Sequence, residues 1–344
     1  MIFQNAQTLQ SLNDPILLQD STSVFLNTDA KISQSIVRYL NILTGNTKND
    51  NFVEIPYTFY KGNELDFFFG FLTNFQGKAF IVMPDLASIE PVIQALDLLN
   101  RLCNLHIFHN SQLTCNQVLN DIISERNKNI FNIAISGTQA HLGKSDYNSW
   151  QKFDSYRLGN IYRDPEALIE PLKMTDLTIF DLSVVKQSDL PARKLISVSG
   201  LGSETSNQIA ATVGASNGNR LFIITGLDQL SDASELDADM FSQLFYYWNQ
   251  GRSNPNFGIN YGDDESNFLV DDVGGFEHIN FYKNKISSDW SVEYPLSLSE
   301  KYQKFKRIPC TYFDYEFTAA GDLSPRLYEI FMALNQYHEI VFPD

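Results

Sequence analysis

The sequence has few cysteines, few basic residues and no long apolar run, and each shortage excludes a class of protein. Three cysteines occur in 344 residues and none forms a C-x-x-C pair, which indicates reduced thiols rather than a disulfide framework. No run approaches the roughly 18 apolar residues that a membrane-spanning helix needs. The first ten residues, MIFQNAQTLQ, have no basic region followed by an apolar stretch. We therefore expect a cytoplasmic protein with no membrane partner.

The shortage of basic residues limits the choice of partners. Lys and Arg number 25 against 41 Asp and Glu, so the formal net charge is −16. A phosphate backbone would be repelled unless a basic stripe existed, and the modest basic cluster at 301–307 is typical of a solvated surface. We expect no nucleic-acid partner. Homo-oligomer formation and the identity of a small-molecule ligand stay open.

Short apolar runs rich in β-branched and aromatic residues recur along the chain. The six runs span residues 79–83, 105–109, 131–136, 177–183, 195–199 and 220–227. Nearly continuous apolarity over so few residues is typical of strands that are buried on both faces, as in a parallel sheet. Each run is therefore predicted to be a strand of one central sheet.

Helical patterns alternate with these runs. They span residues 33–43, 88–102, 113–124, 165–173, 203–216 and 237–251, the last closed by a glycine. The alternation predicts a three-layer α/β/α fold with a doubly wound, mostly parallel sheet. We expect one domain over 1–344, with a less regular segment at 1–75. Near the end, 278–284 and 289–295 alternate apolar and polar residues, which predicts a hairpin or edge strands.

Ligands in such folds bind beyond the carboxyl ends of the strands, so the residues that follow each predicted strand are candidates for a binding site. The stretch DLTIFDLSVVKQSDLP (176–191) resembles the third metal-binding motif of the ureohydrolase (arginase) superfamily. Segments 200–210, 282–295 and 308–326 are similar to a branch described as arginase, agmatinase or formimidoylglutamase-like. The resemblance covers roughly 80–344. It implies an arginase-like fold and a site in which two His and four Asp hold two manganese ions.

The sequence departs from that ligand set almost everywhere. Where the first motif would supply a histidine the chain has MPDLAS (83–88), and where the second would supply D-A-H-x-D it has FHNSQ (108–112). The third motif keeps Asp181 but has Ser183 in place of its second aspartate, and the substrate-binding glutamate falls near Gly226. Seven residues are therefore candidates for the cleft: Asp181, Ser183, His109, Asn110, Gln112, His141 and Asp228.

These losses predict a protein without a metal or other cofactor. Two divalent ions bring four positive charges, and one carboxylate with some hydroxyls does not offset them. We expect a non-catalytic protein that acts by binding or assembly. The alternative is a hydrolase of a guanidino or formimino compound with a rebuilt site, which would use manganese. A third reading is a protein that binds a nucleotide or a phosphorylated metabolite at the GLGSET turn (200–205), where a helix begins.

Simple structural roles compete with each functional reading. Asp181 and Asp189 flank a strand end and could act as paired carboxylates, but capping and loop hydrogen bonds are their more common roles. His109 follows an apolar strand, where a packed or hydrogen-bonded ring is expected. His141 lies in a polar loop and is the best single histidine for ligand contact, with a surface position as the simpler reading.

Overall fold

The computed structural model describes residues 23–27, 52–56, 62–75, 77–110, 129–142, 153–194, 197–227, 235–253 and 264–335. The chain groups into two compact units, Met1–Asn254 and Pro255–Asp344. The expectation of a single domain stays a prediction. The helices predicted at 33–43 and 113–124 lie outside the described residues.

An eight-stranded sheet forms the centre of the first unit. Its strands are β1 Ser23–Asn27, β2 Phe52–Pro56, β3 Lys78–Val82, β4 Cys103–Phe108, β5 Ile130–Thr138, β6 Phe153–Arg157, β7 Leu177–Asp181 and β8 Leu221–Thr225. They lie in the order β2-β1-β3-β8-β7-β4-β5-β6, and all neighbours pair in parallel. The predicted doubly wound, parallel sheet is confirmed.

Helices cover both faces of this sheet. They are α1 Glu64–Asn74, α2 Glu90–Leu98, α3 Leu158–Arg163, α4 Ile169–Lys173, α5 Ser203–Ala215 and α6 Glu235–Ser253. Helix α2 joins β3 to β4 in one lateral direction and α5 joins β7 to β8 in the other, so right-handed crossovers place them on opposite faces. Helices α1 and α2 pack in one apolar cluster, and α3 to α6 pack in the other. All residues of β7 and β8 are buried between the two layers, which explains their unbroken apolarity.

Helices α5 and α6 touch backbone to backbone. A Cβ added at Gly214 would lie 1.9 Å from the carbonyl oxygen of Trp248, and one added at Gly251 would lie 2.0 Å from that of Ala211. Helix α6 continues through Gly251 to Ser253, so the prediction that this glycine closes the helix is wrong. Glycine is required here because it lets the backbones of α5 and α6 pack closely, and not because it ends the helix.

The apolar run 195–199 is not a strand over its described residues 197–199, and that prediction is wrong there. Val198 is 91% exposed, whereas a central strand would bury it. The chain instead returns on itself: the Leu201 amide donates to the Val184 carbonyl at 2.7 Å and the Lys186 amide donates to Leu201 at 3.0 Å. These bonds close a loop between β7 and α5.

The second unit contains an antiparallel sheet. Its elements are β9 Glu265–Val273, β10 Phe276–Asn284, β11 Trp290–Glu293, β12 Arg307–Cys310, α7 Tyr312–Ala319 and α8 Pro325–Asn335. The predicted hairpin is confirmed as the β10–β11 pair. Thr311 begins α7 with a capping box, in which its hydroxyl and the Asp314 carboxylate bond each other's backbone amides. Within the described ranges, no helix is long and apolar enough to cross a membrane.

Candidate functional site

Three neighbouring strands, β4, β7 and β8, end at the same edge of the first sheet. Asp181 at the end of β7 lies opposite Thr225 at the end of β8, and Phe180 lies opposite Phe108 at the end of β4. Because parallel strands share one carboxyl edge, the residues that follow them are brought together there. This edge is where the sequence placed the candidate cleft.

Asp181 is held at this edge by two hydrogen bonds and is 4% exposed. One carboxylate oxygen, Oδ1, accepts from the Ser183 amide at 2.9 Å and caps the short 3₁₀ helix Leu182–Val184. The other, Oδ2, accepts from the Thr225 hydroxyl at 2.8 Å. Both oxygens are therefore used within the chain. The predicted capping role of Asp181 is confirmed.

Gly226 brings the backbone close to this carboxylate. Its φ of +92° lies in the left-handed region that favours glycine, and an added Cβ would sit 3.2 Å from Asp181 Oδ2. The position near which the ureohydrolase motif implies a substrate-binding glutamate is thus occupied by close-packed backbone.

Ser183, His109 and Asn110 lie beside Asp181 as the sequence predicts. The Asn110 amide donates to the Ser183 hydroxyl at 3.4 Å, and all three residues are buried. Burial lowers the pKa of His109, and the nearby Asp181 carboxylate acts in the opposite direction. The charge of the Asp181 carboxylate, at the carboxyl end of β7, therefore acts on the imidazole of His109.

Arg193 joins this cluster, although sequence reasoning did not select it. It lies in the loop that follows β7 and is 3% exposed. One terminal nitrogen, Nη1, donates to the Val185 carbonyl, while Nε and Nη2 are buried and have no acceptor in the described part of the chain. Burial lowers the pKa of Arg193, and Asp181 acts against that shift. The buried guanidinium of Arg193 and the buried carboxylate of Asp181 therefore act on each other through their charges.

Three candidates remain, and the structure describes one of them, His141. His141 is exposed on the 3₁₀ turn Ala140–Leu142, after β5. Next to that turn Gln139 is 5% exposed and donates to the Ser199 carbonyl at 3.1 Å. Gln112 and Asp228 lie outside the described residues.

The GLGSET turn already binds a carboxylate of the chain itself. Asp189 Oδ2 accepts from the Ser203 amide at the start of α5 at 2.7 Å, and Lys186 lies 3.4 Å from the same oxygen. Burial raises the pKa of Asp189, but hydrogen bonds from Ser188 and Ser203 and the charge of Lys186 lower it overall. The predicted loop hydrogen-bonding role of Asp189 is confirmed, and it occupies the turn where a phosphate was considered.

His106 lies in β4, two residues before the end of the strand, and is a core residue. Its Nε2 lies 2.8 Å from the Ser136 hydroxyl, and its ring stacks on Phe108 at a centroid distance of 4.6 Å. Burial lowers the pKa of His106 to about 3. The ring is therefore neutral and packed, with no access to a ligand at the edge.

The described residues do not fit a two-manganese centre. Over the described ranges, no group of three or more His, Cys, Asp and Glu side chains is placed to hold a metal ion. Asp181 is the carboxylate left from the motif, and its oxygens are bonded to Ser183 and Thr225. Hydroxyls and amides neutralise none of the charge of Mn²⁺.

No family model and no curated protein matches the sequence. Solved structures do match in three dimensions. Formiminoglutamase of Trypanosoma cruzi with Mn²⁺ has a TM-score of 0.56 at 14% identity, covering 71% of this chain and 95% of that chain. Formimidoylglutamase of Bacillus subtilis has 0.52 at 11%, covering 67% and 86%. Arginase of Bacillus cereus has 0.51 at 10%, covering 66% and 97%. At these identities the likeness shows a shared fold.

Proposed function

We propose that this chain, which has the arginase-like α/β fold, has lost the two-manganese site and is non-catalytic, acting by binding a ligand or by assembly. The observation that supports this most directly is the state of Asp181. Its two oxygens accept hydrogen bonds from Ser183 and Thr225, and over the described ranges it belongs to no group of three or more His, Cys, Asp and Glu side chains that could hold a metal ion.

The charge balance of the edge supports the same proposal. Two divalent ions carry four positive charges, and removing them from water costs several kcal/mol per ion unless carboxylates surround them. Here the motif carboxylate Asp181 already interacts with the buried guanidinium of Arg193. That resident positive charge makes the edge less favourable for a cation.

The physical demand of the reaction explains why this loss matters. A guanidino or formimino carbon is resonance-stabilised, and free water is a weak nucleophile at neutral pH. Metals supply a hydroxide by lowering the pKa of bound water. Without them, acid–base assistance contributes typically about 10²- to 10⁴-fold, which is small against enzymatic accelerations.

Turnover assays test the proposal directly. Purified protein would be incubated with arginine, agmatine or formiminoglutamate and excess Mn²⁺, and urea, ammonia and formamide would be measured. We expect no release above the no-protein blank and no stoichiometric Mn, Zn or Fe in elemental analysis. Release that survives repurification and disappears in Asp181→Asn, but not in the control Asp97→Asn, would establish the alternative hydrolase. Asp97 is a matched carboxylate that accepts from Asn129 at 2.7 Å, next to the amino end of β5.

A further inference from the structure

One edge of the Arg193 guanidinium is unused. Nη1 donates to the Val185 carbonyl, but Nε and Nη2 have no acceptor among the described residues. The N–H groups of Nε and the adjacent Nη2 point in the same direction, at the spacing of the two oxygens of a carboxylate. The unused pair is therefore the pair that binds a carboxylate through two parallel hydrogen bonds.

The edge is also buried and held in place. Arg193 is 3% exposed. Its loop is fixed by Gln187, whose Nε2 donates to the Arg193 carbonyl at 3.3 Å and whose Oε1 accepts from the Ser197 amide at 3.3 Å. Buried donors without acceptors are costly, and in native proteins such groups nearly always have a partner.

Asp181 does not supply the missing acceptor. Its oxygens accept from Ser183 and Thr225, and neither of them is hydrogen-bonded to Nε or Nη2 of Arg193. It acts on Arg193 through its charge, which favours the protonated guanidinium and opposes the effect of burial. The arginine is thus kept positive while the N–H groups of its Nε–Nη2 edge have no hydrogen-bond acceptor among the described residues.

We propose that the Nε–Nη2 edge of Arg193 binds the carboxylate of a small ligand at the carboxyl edge of the sheet. The inference rests on the proposed binding role and names the chemical class of the ligand. A carboxylate brings one negative charge beside Arg193 and Asp181, leaving a net charge of −1, whereas a phosphate dianion would leave −2. Because uncompensated buried charge is costly, the smaller charge is favoured. Both nitrogens are buried, so a ligand reaches them only when neighbouring side chains move, and the smallest carboxylates require the least movement.

Thermal unfolding of the full chain tests this site. Formate, acetate, phosphate and chloride would be titrated at constant ionic strength. We expect a saturable rise in Tm with formate, a smaller one with acetate and none specific to phosphate or chloride. Arg193→Lys, which cannot form the paired bond, should weaken formate binding by at least about tenfold. The matched control is Arg101→Lys, because Arg101 also donates Nη1 to a backbone carbonyl, that of Leu72 at 2.9 Å, at the opposite end of β4.

A second measurement keeps the test decisive if Arg193→Lys fails to fold. The NMR resonance of isotope-labelled formate should broaden or shift in the presence of wild-type protein and recover when unlabelled formate is added in excess. Equal responses to formate and chloride, or an unchanged affinity in a folded Arg193→Lys variant, would overturn the inference and leave bound water as the partner. The turnover assay is independent: product release refutes the non-catalytic proposal whether or not formate binds.

Discussion

Two substitutions at Asp181 separate a carboxylate that holds the loop from one that binds a cation. Asparagine can keep both hydrogen bonds of the native side chain, because its oxygen accepts from the Ser183 amide and its nitrogen can donate to the Thr225 hydroxyl after that hydroxyl rotates. Alanine keeps neither bond. The contrast between the two variants therefore measures the charge and the hydrogen bonds separately.

The magnitudes follow from the two bonds. A hydrogen bond to a charged group contributes about 1.5–3 kcal/mol and a neutral one about 0.5–1.5 kcal/mol. Asp181→Asn changes both bonds from charged to neutral, a loss of about 1–1.5 kcal/mol for each bond and therefore about 2–3 kcal/mol in the free energy of unfolding. Asp181→Ala removes both and leaves the Ser183 amide and the Thr225 hydroxyl buried without an acceptor, which gives a loss of about 4 kcal/mol.

Urea unfolding followed by far-ultraviolet circular dichroism provides the assay, with Asp97→Asn as the control substitution. Metal content would be measured on each variant. The reasoning fails if Asp181→Asn is as damaging as Asp181→Ala, because the negative charge itself would then be essential. It fails equally if either substitution releases a stoichiometric metal that the wild-type protein carries.

Three further results are expected. The folded-state pKa of His106 is lowered to about 3 while the unfolded value stays near 6.5, so only the unfolded state gains this proton between the two values. His106 should therefore lower the stability by up to about 1.4 kcal/mol per pH unit as the pH decreases below 6.5, and this contribution to the slope should be absent in His106→Phe. Gly214→Ala should destabilise by about 3 kcal/mol or more through its clash with the Trp248 backbone, whereas Gly159→Ala, which meets nothing within 4 Å, should be neutral or stabilising in thermal unfolding. Thr311→Ala should cost about 1 kcal/mol through loss of its cap, measured by the same method; an unchanged Tm would contradict the capping role.

The central strands were predictable because burial on both faces leaves a continuous apolar signal. Strands β3, β4, β5, β7 and β8 all carry it. The sequence analysis did not predict β1, β2 or β6. Two of these, β2 and β6, lie at the edges of the sheet, where a strand needs fewer apolar residues. Strand β6, with the sequence FDSYR, has no continuous apolar run. The opposite error occurred in the apolar run 195–199, whose described residues 197–199 belong to a loop with Val198 exposed. Apolarity alone does not distinguish a strand from a chain that returns on itself.

The part of the site that follows the apolar strands could be predicted from the sequence, most clearly at β7, which lies in the stretch that resembles the third metal-binding motif. Asp181 and Ser183 could be placed at a carboxyl edge, and His109 and Asn110 at the end of another strand. Thr225 could not be chosen, because its role depends on β8 pairing beside β7 in register. Arg193 was missed for a similar reason: a single arginine in a loop gives no sign of burial, which depends on how the loop folds over the sheet.

The strand order has a consequence for how the first unit forms during synthesis. Strand β8 is the last of the eight to be made, yet it lies between β3 and β7 and is the element that joins β2-β1-β3 to β7-β4-β5-β6. Until residue 225 has left the ribosome, each part of the sheet has an unpaired edge at the position that β8 will fill, and such edges invite pairing with other chains. Joining β3 to β8 also closes a long loop, which slows folding. The nascent chain is therefore most exposed to aggregation just before its central strand is inserted, and a chaperone that shields those two edges would have its greatest effect at that stage.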